Sequence, residues 1–183
     1  MSKLFLMVGN SGAGKDTLIK KVTEIAPTKI KIARRVVTRA TSDVEDYESV
    51  DTEEFLKLKK SGEFILDWES YDTYYGIRKE VEDWLKAKHP VMINVSRQVI
   101  DIVKEKYPDT KVIFVRVPLA VTTERIIERK RETYEKVLDR VVRAQDQQDY
   151  NDADLIVDNV GDIEETSQKI LDYILRVLEK NYS

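Results

Sequence analysis

The sequence predicts an α/β fold in three layers, with a central parallel sheet of about five strands between two layers of helices. The first observation behind this prediction is a set of short apolar runs typical of buried strands, at 4–8, 91–95, 111–117 and 155–157. The second is that segments with apolar residues at helical spacing separate these runs, as crossover connections require. The chain of 183 residues is 42% hydrophobic, which is enough for one domain with a packed core.

The composition excludes several classes of function. The chain contains no cysteine, so disulfides, thiol catalysis and thiolate metal sites are excluded. The apolar run at 4–8 is too short for a signal peptide, and no run has the length of a membrane span. We therefore expect a cytoplasmic protein without a membrane partner. The net charge of −3 gives no reason to expect a nucleic-acid partner, and the oligomeric state is not predicted.

A glycine-rich turn follows the first predicted strand and leads into a helical pattern at 18–25. Its residues are Gly9, Asn10, Ser11, Gly12, Ala13, Gly14, Lys15, Asp16 and Thr17. This is the spacing of a P-loop, in which backbone N–H groups and a helix N-terminus bind nucleotide phosphates and the lysine reaches the outer ones. A glycine-rich turn can also simply join a strand to a helix, but here both lie where a P-loop NTPase fold needs them. Asp16 stands where a Ser or Thr normally supplies a hydroxyl to Mg²⁺, with Thr17 one place further along.

The segment after the first helix is predicted to be a small inserted subdomain of short strands and one helix. A strand pattern at 29–33 leads into three arginines, Arg34, Arg35 and Arg39. These arginines either clamp an anionic second substrate or lie on a solvated surface strand, and both interpretations stay open.

The rest of the insert has clearer local signals. Asp51, with Glu54 three residues later, predicts a helix start by a capping box. Alternation of apolar and polar residues predicts a strand at 64–68. An aromatic turn is predicted to follow, formed by Tyr71, Tyr74, Tyr75 and Gly76.

A second group of basic residues follows helical patterns near the end of the chain, at Arg125, Arg129, Lys130, Arg131, Arg140 and Arg143. Guanidinium groups bind phosphate oxygens bidentately, and phosphoryl transfer needs cationic stabilisation of the migrating group more than covalent chemistry. A lid that closes over that group and excludes water is therefore predicted. For any single arginine, an amphipathic helix with a solvated basic face is the alternative. The predicted catalytic residues are Lys15, Arg125, Arg129, Arg131 and Arg140.

With these elements, the sequence resembles the guanylate kinase group of nucleoside monophosphate kinases over essentially its whole length. The resemblance lies in the loop 9–17, Thr38-Arg39, Asp46-Tyr47, Gly62-Glu63-Phe64, Trp68, Tyr74-Tyr75-Gly76 and the basic lid. It implies a single kinase domain with its core at about 1–29, 88–124 and 144–183, an acceptor-binding insert at about 30–87 and a lid at about 125–143. It also implies that Arg39 and Tyr47 bind the phosphate of the acceptor.

Several positions depart from the guanine-binding pattern of that group. Arg35 stands in place of a small hydroxyl residue, and Ser42 in place of a second phosphate-binding arginine. Asn94 and Ser96 replace two aspartates at the end of the central strand, one of which assists Mg²⁺. Asp67, in contrast, can stand in for the carboxylate that reads the guanine edge.

These departures resemble a sister group, the ribose 1,5-bisphosphate phosphokinases of phosphonate catabolism. That group has Gly-Lys-Asp before Ser or Thr, an Arg-x-x-Thr-Arg segment and Asn-x-Ser-Arg, which match residues 14–17, 35–39 and 94–97 here. A sugar bisphosphate has two phosphates and no base, so additional cations such as Arg35 and Arg97 suit it. The implied acceptor site comprises Arg35, Arg39, Tyr47, Asp67, Tyr75, Asn94, Ser96 and Arg97.

The implied reaction passes the γ-phosphoryl group of ATP to ribose 1,5-bisphosphate, giving 5-phosphoribosyl 1-diphosphate and ADP, with Mg²⁺ organised by Asp16 and Thr17. An acceptor phosphate oxygen is already anionic near neutral pH and needs no general base, which fits a chain whose single histidine, His89, is expected to be structural. Two alternatives stay open: a guanylate kinase with an altered pocket, and a kinase-like domain that has lost chemistry and binds proteins. Lys15 and the lid arginines argue against the second, and the preference for a phosphate donor is not predicted.

Overall fold

The computed structural model describes residues 3–41, 45–128, 134–146 and 148–180. Two predicted catalytic residues, Arg129 and Arg131, lie outside the described residues, as does Ser42. The strands are β1 (Leu4–Gly9), β2 (Lys31–Ala33), β3 (Arg35–Val37), β4 (Tyr47–Ser49), β5 (Phe64–Ser70), β6 (Thr73–Arg78), β7 (Val91–Asn94), β8 (Lys111–Arg116) and β9 (Leu155–Asp158). The helices are α1 (Lys15–Ile25), α2 (Thr52–Lys60), α3 (Glu80–Lys86), α4 (Ile100–Lys106), α5 (Leu119–Glu128), α6 (Tyr134–Asp146) and α7 (Ile163–Glu179). None of these described helices combines the length and the apolar character needed to cross a membrane.

The central sheet is parallel and has the strand order β2-β7-β1-β8-β9. β1 lies in the middle, where it pairs with β7 on one side and with β8 on the other. The carboxyl ends of parallel strands meet at one edge of a sheet, so the loop after β1 lies beside the ends of both neighbours. The predicted five-stranded parallel sheet is confirmed.

Helices cover both faces of this sheet, because alternate residues of a strand point to opposite sides. Leu4, Leu6 and Val8 of β1 belong to a buried cluster with apolar residues of α3 and α4. Phe5 and Met7 belong to a second cluster, which the apolar faces of α1 and α7 complete. The predicted three-layer α/β fold is therefore confirmed.

The insert contains a second sheet with the strand order β4-β3-β6-β5. It begins at Arg35, whereas β2 still belongs to the central sheet, so the second sheet starts a few residues after the predicted start of the insert. Leu66 and Trp68 of β5 and Ile77 of β6 join the buried cluster of α3 and α4. The second sheet is thus anchored to one face of the central one.

Local signals within the insert were informative in one case and misleading in another. The side chain of Asp51 accepts a hydrogen bond from the backbone N–H of Glu54 at 2.8 Å, as the capping box predicts. The predicted aromatic turn is wrong, because Tyr74 to Gly76 lie in β6 and only Tyr71 and Asp72 form the turn, both with positive φ. Strand pairing with β3 and β5 holds the aromatic residues in an extended conformation that suits their side chains.

Candidate active site

The glycine-rich loop joins β1 to α1 at the carboxyl edge of the central sheet. A Cβ at Gly14, where φ is +82°, would lie 2.5 Å from Nδ2 of Asn159. A Cβ at Gly9, where φ is +154°, would meet the carbonyl oxygen of Val115 in the neighbouring strand. The loop can therefore follow this path only with glycine at both positions.

Lys15, the first residue of α1, folds back over the loop. Its Nζ donates hydrogen bonds to the carbonyl oxygens of Gly9 at 2.8 Å and Asn10 at 3.0 Å. The ammonium group therefore lies beside the backbone path that the P-loop spacing assigns to nucleotide phosphates.

Two buried amide side chains hold the loop from outside. Nδ2 of Asn10 donates to the carbonyl oxygen of Ala144 in α6 at 3.0 Å. Nδ2 of Asn159, which follows β9, donates to the carbonyl oxygen of Ala13 at 2.8 Å. No role was predicted for Asn159, because its position in the chain gives no sign that it reaches the loop.

Arginines from α5 and α6 contact the same loop. Nη1 of Arg125 donates to the carbonyl oxygen of Gly12 at 3.1 Å, and Nη1 of Arg140 donates to Oγ of Ser11 at 2.8 Å. Two of the predicted lid arginines are thus brought to the phosphate loop, whereas Arg129 and Arg131 lie outside the described residues.

A cleft lies beside the glycine-rich loop and is also lined by residues of β5, β6, the end of β7 and α6. The turn between β5 and β6 meets α6 across this cleft. The guanidinium carbon of Arg140 lies 4.7 Å, and that of Arg143 5.3 Å, from the centre of the Tyr71 ring. Nη1 of Arg143 also donates to Oγ of Ser70 at 3.3 Å. Tyr71 was predicted to lie in a turn, but its contacts with these arginines were not predicted.

Arg35 and Arg39 of the insert face the loop across the cleft. Nη2 of Arg35 lies 2.9 Å from Oδ1 of Asp16 and 3.4 Å from Oε2 of Glu45. Nη2 of Arg39 lies 2.9 Å from the same oxygen of Glu45. Glu45 thus lies between the two guanidinium groups, and Asp16 links Arg35 to the glycine-rich loop.

Arg39 is also held by Tyr47. Its Nε donates to the Tyr47 hydroxyl oxygen at 3.3 Å, its guanidinium carbon lies 5.0 Å from the ring centre, and the Tyr47 hydroxyl donates to the carbonyl oxygen of Ala40. Burial acts to lower the pKa of Arg39, but the hydrogen bond with Tyr47 and the charge of Glu45 outweigh it, and the net shift is upward. The guanidinium therefore keeps its charge in this partly buried position.

The end of β7 and the residues just after it line the cleft. Nδ2 of Asn94, a side chain in a residue only 5% exposed, donates to Oδ1 of Asp16 at 2.8 Å. Ser96 precedes a single 3₁₀ turn at Arg97–Val99 and lines the cleft. Both predicted residues are thus beside the phosphate loop.

The Arg97 side chain lies against two aromatic rings. Its guanidinium carbon is 4.4 Å from the centre of the Phe114 ring and 5.6 Å from that of Tyr150, and its Nη1 donates to the carbonyl oxygen of Asp149 at 2.9 Å. Burial, the largest influence, lowers the pKa of Arg97. Its planar group is therefore fixed at the edge of the cleft, in a setting that sequence spacing does not reveal.

Comparison with known proteins now identifies the family. The family model described as guanylate kinase matches residues 1–177. The chain belongs to the guanylate kinase family. A solved guanylate kinase from Anaplasma phagocytophilum superimposes with a TM-score of 0.71 at 25% identity, covering 96% of this chain and 85% of that one. The predicted family and P-loop kinase fold are therefore confirmed.

Two curated relatives bear the name ribose 1,5-bisphosphate phosphokinase PhnN. The one from Janthinobacterium sp. (strain Marseille) is 37% identical over 175 residues, which are 94% of this chain. The chain spans only 39% of the length of that protein. The one from Rhodopseudomonas palustris is 37% identical over 162 residues, which are 87% of this chain and 81% of that protein.

Tyr75 and Asp67, both predicted for the acceptor site, lie on opposite faces of the second sheet. Tyr75 lines the cleft and stacks on Trp68, with ring centres 5.2 Å apart and planes at 7°. Asp67 precedes Trp68 in β5, so its side chain points to the other face, where it pairs with Lys59 of α2. The structure therefore does not bring Asp67 to the cleft.

The predicted Mg²⁺ residues, Asp16 and Thr17, lie in the first turn of α1. Among the described residues, three or more histidine, cysteine or carboxylate side chains are nowhere close enough together to hold a metal ion. Thr17 is exposed at the cleft, and Oδ1 of Asp16 already accepts hydrogen bonds from Arg35 and Asn94. The hydroxyl of Thr17 fits Mg²⁺, which takes oxygen ligands with few protein groups when phosphates and water supply the rest.

Proposed function

We propose that this protein transfers the γ-phosphoryl group of ATP to ribose 1,5-bisphosphate, giving 5-phosphoribosyl 1-diphosphate and ADP. The observation that carries the proposal is the charge of the cleft facing the phosphate loop. Arg35, Arg39 and Arg97 line that cleft. Asp67, the residue that could have stood in for a guanine-reading carboxylate, points to the other face of β5. The two relatives named as ribose 1,5-bisphosphate phosphokinases support the same acceptor.

The donor half of the reaction follows from the loop. Backbone N–H groups of the glycine-rich turn and the positive end of α1 would hold the phosphates of ATP. Lys15 exchanges its carbonyl partners, Gly9 and Asn10, for phosphate oxygens. Arg125 and Arg140, which contact the loop through Gly12 and Ser11, would place positive charge beside the migrating group.

Mg²⁺ would be held at the start of α1, with the Thr17 hydroxyl as its direct oxygen ligand and Asp16 beside it. When bound there, the ion would supply positive charge that offsets the charge developing on the phosphates. The protein residues then have to orient the two substrates and exclude water, for which the arginine-bearing α5 and α6 are suited.

The acceptor half needs positioning rather than proton removal. The 1-phosphate of the acceptor is anionic near neutral pH and can attack without a general base. Guanidinium groups match phosphate oxygens in a fork, so that Arg35, Arg39 and Arg97 can orient two phosphates without a base-reading group. We infer that the core, the insert at about 30–87 and the lid at about 125–143 act as donor site, acceptor site and closing element in the cytoplasm.

Initial rates with ATP and Mg²⁺ test the proposal, with ribose 1,5-bisphosphate and GMP as separate acceptors. We expect 5-phosphoribosyl 1-diphosphate to form at a kcat/KM at least about tenfold higher than that for GDP formation, a difference of roughly 1.4 kcal/mol. The same preparation carrying Lys15→Ala controls for a contaminating kinase. Turnover of GMP alone would overturn the proposed acceptor.

Guanylate kinase activity is the second candidate, and one observation favours it. Trp68 and Tyr75 form a flat aromatic wall in the cleft, which a purine ring could contact. The match to the guanylate kinase family model points the same way. A non-catalytic binding module is disfavoured, because Lys15 and the loop-bound Arg125 and Arg140 serve no purpose in it.

A further inference from the structure

Two unusual residues of this chain are joined by one hydrogen bond. Asp16 stands where a P-loop usually has a hydroxyl residue, and Asn94, at the end of β7, stands where the resemblance to guanylate kinases implies a carboxylate. Although 78 positions separate them, Nδ2 of Asn94 donates to Oδ1 of Asp16 at 2.8 Å. The same oxygen accepts from Nη2 of Arg35 at 2.9 Å.

We propose that Asp16 is a positioning residue for the acceptor site, which aims Arg35 at a phosphate of the acceptor, and that Asn94 fixes Asp16 for this purpose. Asp16 is accordingly not a direct Mg²⁺ ligand. The proposal rests on the proposed function, because it assumes that a doubly anionic acceptor binds in the cleft.

The charges of the three side chains are complementary only in this combination. The side chain of Asn94 is buried, and a buried amide needs an acceptor. A carboxylate at position 94 would face Asp16 at hydrogen-bond distance, and two carboxylates that close cannot both stay ionised. With an amide at position 94, Asp16 is the single negative charge among Asn94, Asp16 and Arg35, and it can accept hydrogen bonds from both of the others.

Arg35 depends on that partner for its direction. Its side chain is 11% exposed, so its charge has to be balanced by nearby carboxylates. Asp16 lies on the phosphate-loop side at 2.9 Å and Glu45 on the insert side at 3.4 Å. Without Asp16, Glu45 is the remaining carboxylate within ion-pair distance among the described residues, and it pulls Arg35 away from the loop.

Through this arrangement, the donor site sets the position of a cation that binds the acceptor. Asp16 is the second residue of α1, so it moves with the loop that holds the donor phosphates. A guanidinium tied to that helix holds the acceptor phosphate at a set distance from the γ-phosphoryl group. In-line transfer depends on that distance, because small displacements of the reacting atoms cost large factors in rate.

Asp16→Ser is the decisive variant, since it restores the ordinary Gly-Lys-Ser sequence of a loop that binds Mg²⁺ well. We expect the dissociation constant of ribose 1,5-bisphosphate, measured by calorimetry without ATP or Mg²⁺, to rise about 10- to 100-fold. The dissociation constant of ATP and the Mg²⁺ concentration at half-maximal rate should stay within about twofold. Glu24→Gln, which removes a carboxylate from the exposed side of the same helix, is the matched control and should change none of these values.

A double-mutant cycle shows whether Asp16 acts through Arg35. Arg35→Gln alone should weaken acceptor binding as much as Arg35→Gln with Asp16→Ser, because the carboxylate has nothing left to aim. Additive losses would overturn the proposal, as would unchanged acceptor binding in Asp16→Ser. A raised Mg²⁺ requirement in Asp16→Asn, which supplies no hydroxyl, would overturn it too, because Asp16 would then be a metal ligand. Thermal melting of each variant identifies those that fail to fold, and Asp16→Asn, which keeps the shape, then replaces Asp16→Ser in the cycle.

The failure of the proposed function gives a different result. If the wild-type protein binds and converts GMP but not ribose 1,5-bisphosphate, the acceptor assignment is wrong. The same cycle, measured with GMP as the acceptor, then tests the positioning role of Asp16 by itself. Coupling between Asp16 and Arg35 would support that role, and additive losses would overturn it.

Discussion

The two halves of the cleft are built in different ways. On the proposed donor side, the backbone of one contiguous loop would bind the phosphates, and the side-chain amides of Asn10 and Asn159 hold that backbone in place. On the acceptor side, separate segments each contribute a charged side chain, such as Arg35, Arg39 and Glu45, held by ion pairs. A backbone cradle tolerates most side-chain changes, whereas a network of charges responds to each one. Donor binding should therefore be robust and acceptor selectivity sensitive.

The largest expected effect tests the exception on the donor side, the lysine of the loop, whose charge would act directly on the donor phosphates. Lys15→Ala should lower kcat by about 10²- to 10³-fold, because the migrating group loses a cation aimed at it. Steady-state kinetics measure this loss, and Lys20→Ala, at an exposed position of the same helix, should leave the rate unchanged. Undiminished turnover by Lys15→Ala would contradict the role of this cation, whereas unchanged biological activity of that variant would favour the binding-module interpretation.

Arg97 tests the acceptor side directly. Arg97→Ala should raise the KM of ribose 1,5-bisphosphate about 10- to 100-fold and leave the dissociation constant of ATP unchanged. Arg97→Lys should recover little of this loss, because an ammonium group cannot stack flat against Phe114 and Tyr150. Equal losses in acceptor and ATP binding would show that the two halves are not separate at this residue.

Tyr71 joins the acceptor side to α6, so it tests where the halves meet. Tyr71→Ala should lower kcat about tenfold with a smaller change in either KM, since two guanidinium groups lose the ring that orients them. Tyr71→Phe keeps the ring face and should retain most of the activity. If Phe proves as damaging as Ala, the hydroxyl rather than the ring is what counts.

The smallest effect concerns the stability of the second sheet. Nε of Arg78 donates to Glu48 at 2.9 Å, and this hydrogen bond holds the pKa of Glu48 below its ordinary value of 4.5. A depressed carboxyl pKa stabilises the folded state above the ordinary value, and that contribution is lost as pH falls through the lower one. Glu48→Gln should therefore reduce the free energy of unfolding by less than about 1 kcal/mol at pH 7, and the difference should shrink as the pH falls below the ordinary carboxyl pKa.

Urea unfolding at several pH values measures this difference. Glu53→Gln, which breaks a more exposed pair with Lys57 on α2, should change less. A deficit for Glu48→Gln that persists unchanged in acid would show that the side chain matters through packing and not through its charge.

The same contrast explains what the sequence could predict. The phosphate loop was predictable because spacing within nine residues dictates its shape, and the cap at Asp51 is equally local. The contacts of Asn159 with Ala13, and of Arg97 with Phe114, join residues that are far apart in the chain and carry no local pattern.

Two misplaced expectations have the same origin. Tyr74 to Gly76 were expected in a turn, but pairing with strands on both sides extends them. Asp67 was expected in the cleft, but strand alternation assigns that face to Trp68 and sends Asp67 towards Lys59. A resemblance aligns positions, whereas the register of a strand decides which side chains reach a site.

The amide of Asn10 has a mechanical consequence. It ties the loop to the carbonyl oxygen of Ala144, near the end of the helix that also carries Arg140 and Arg143. Any swing of that helix away from the cleft pulls on the loop through this bond or breaks it. In the proposed reaction, the release of ADP from the loop would therefore be coupled to displacement of this helix.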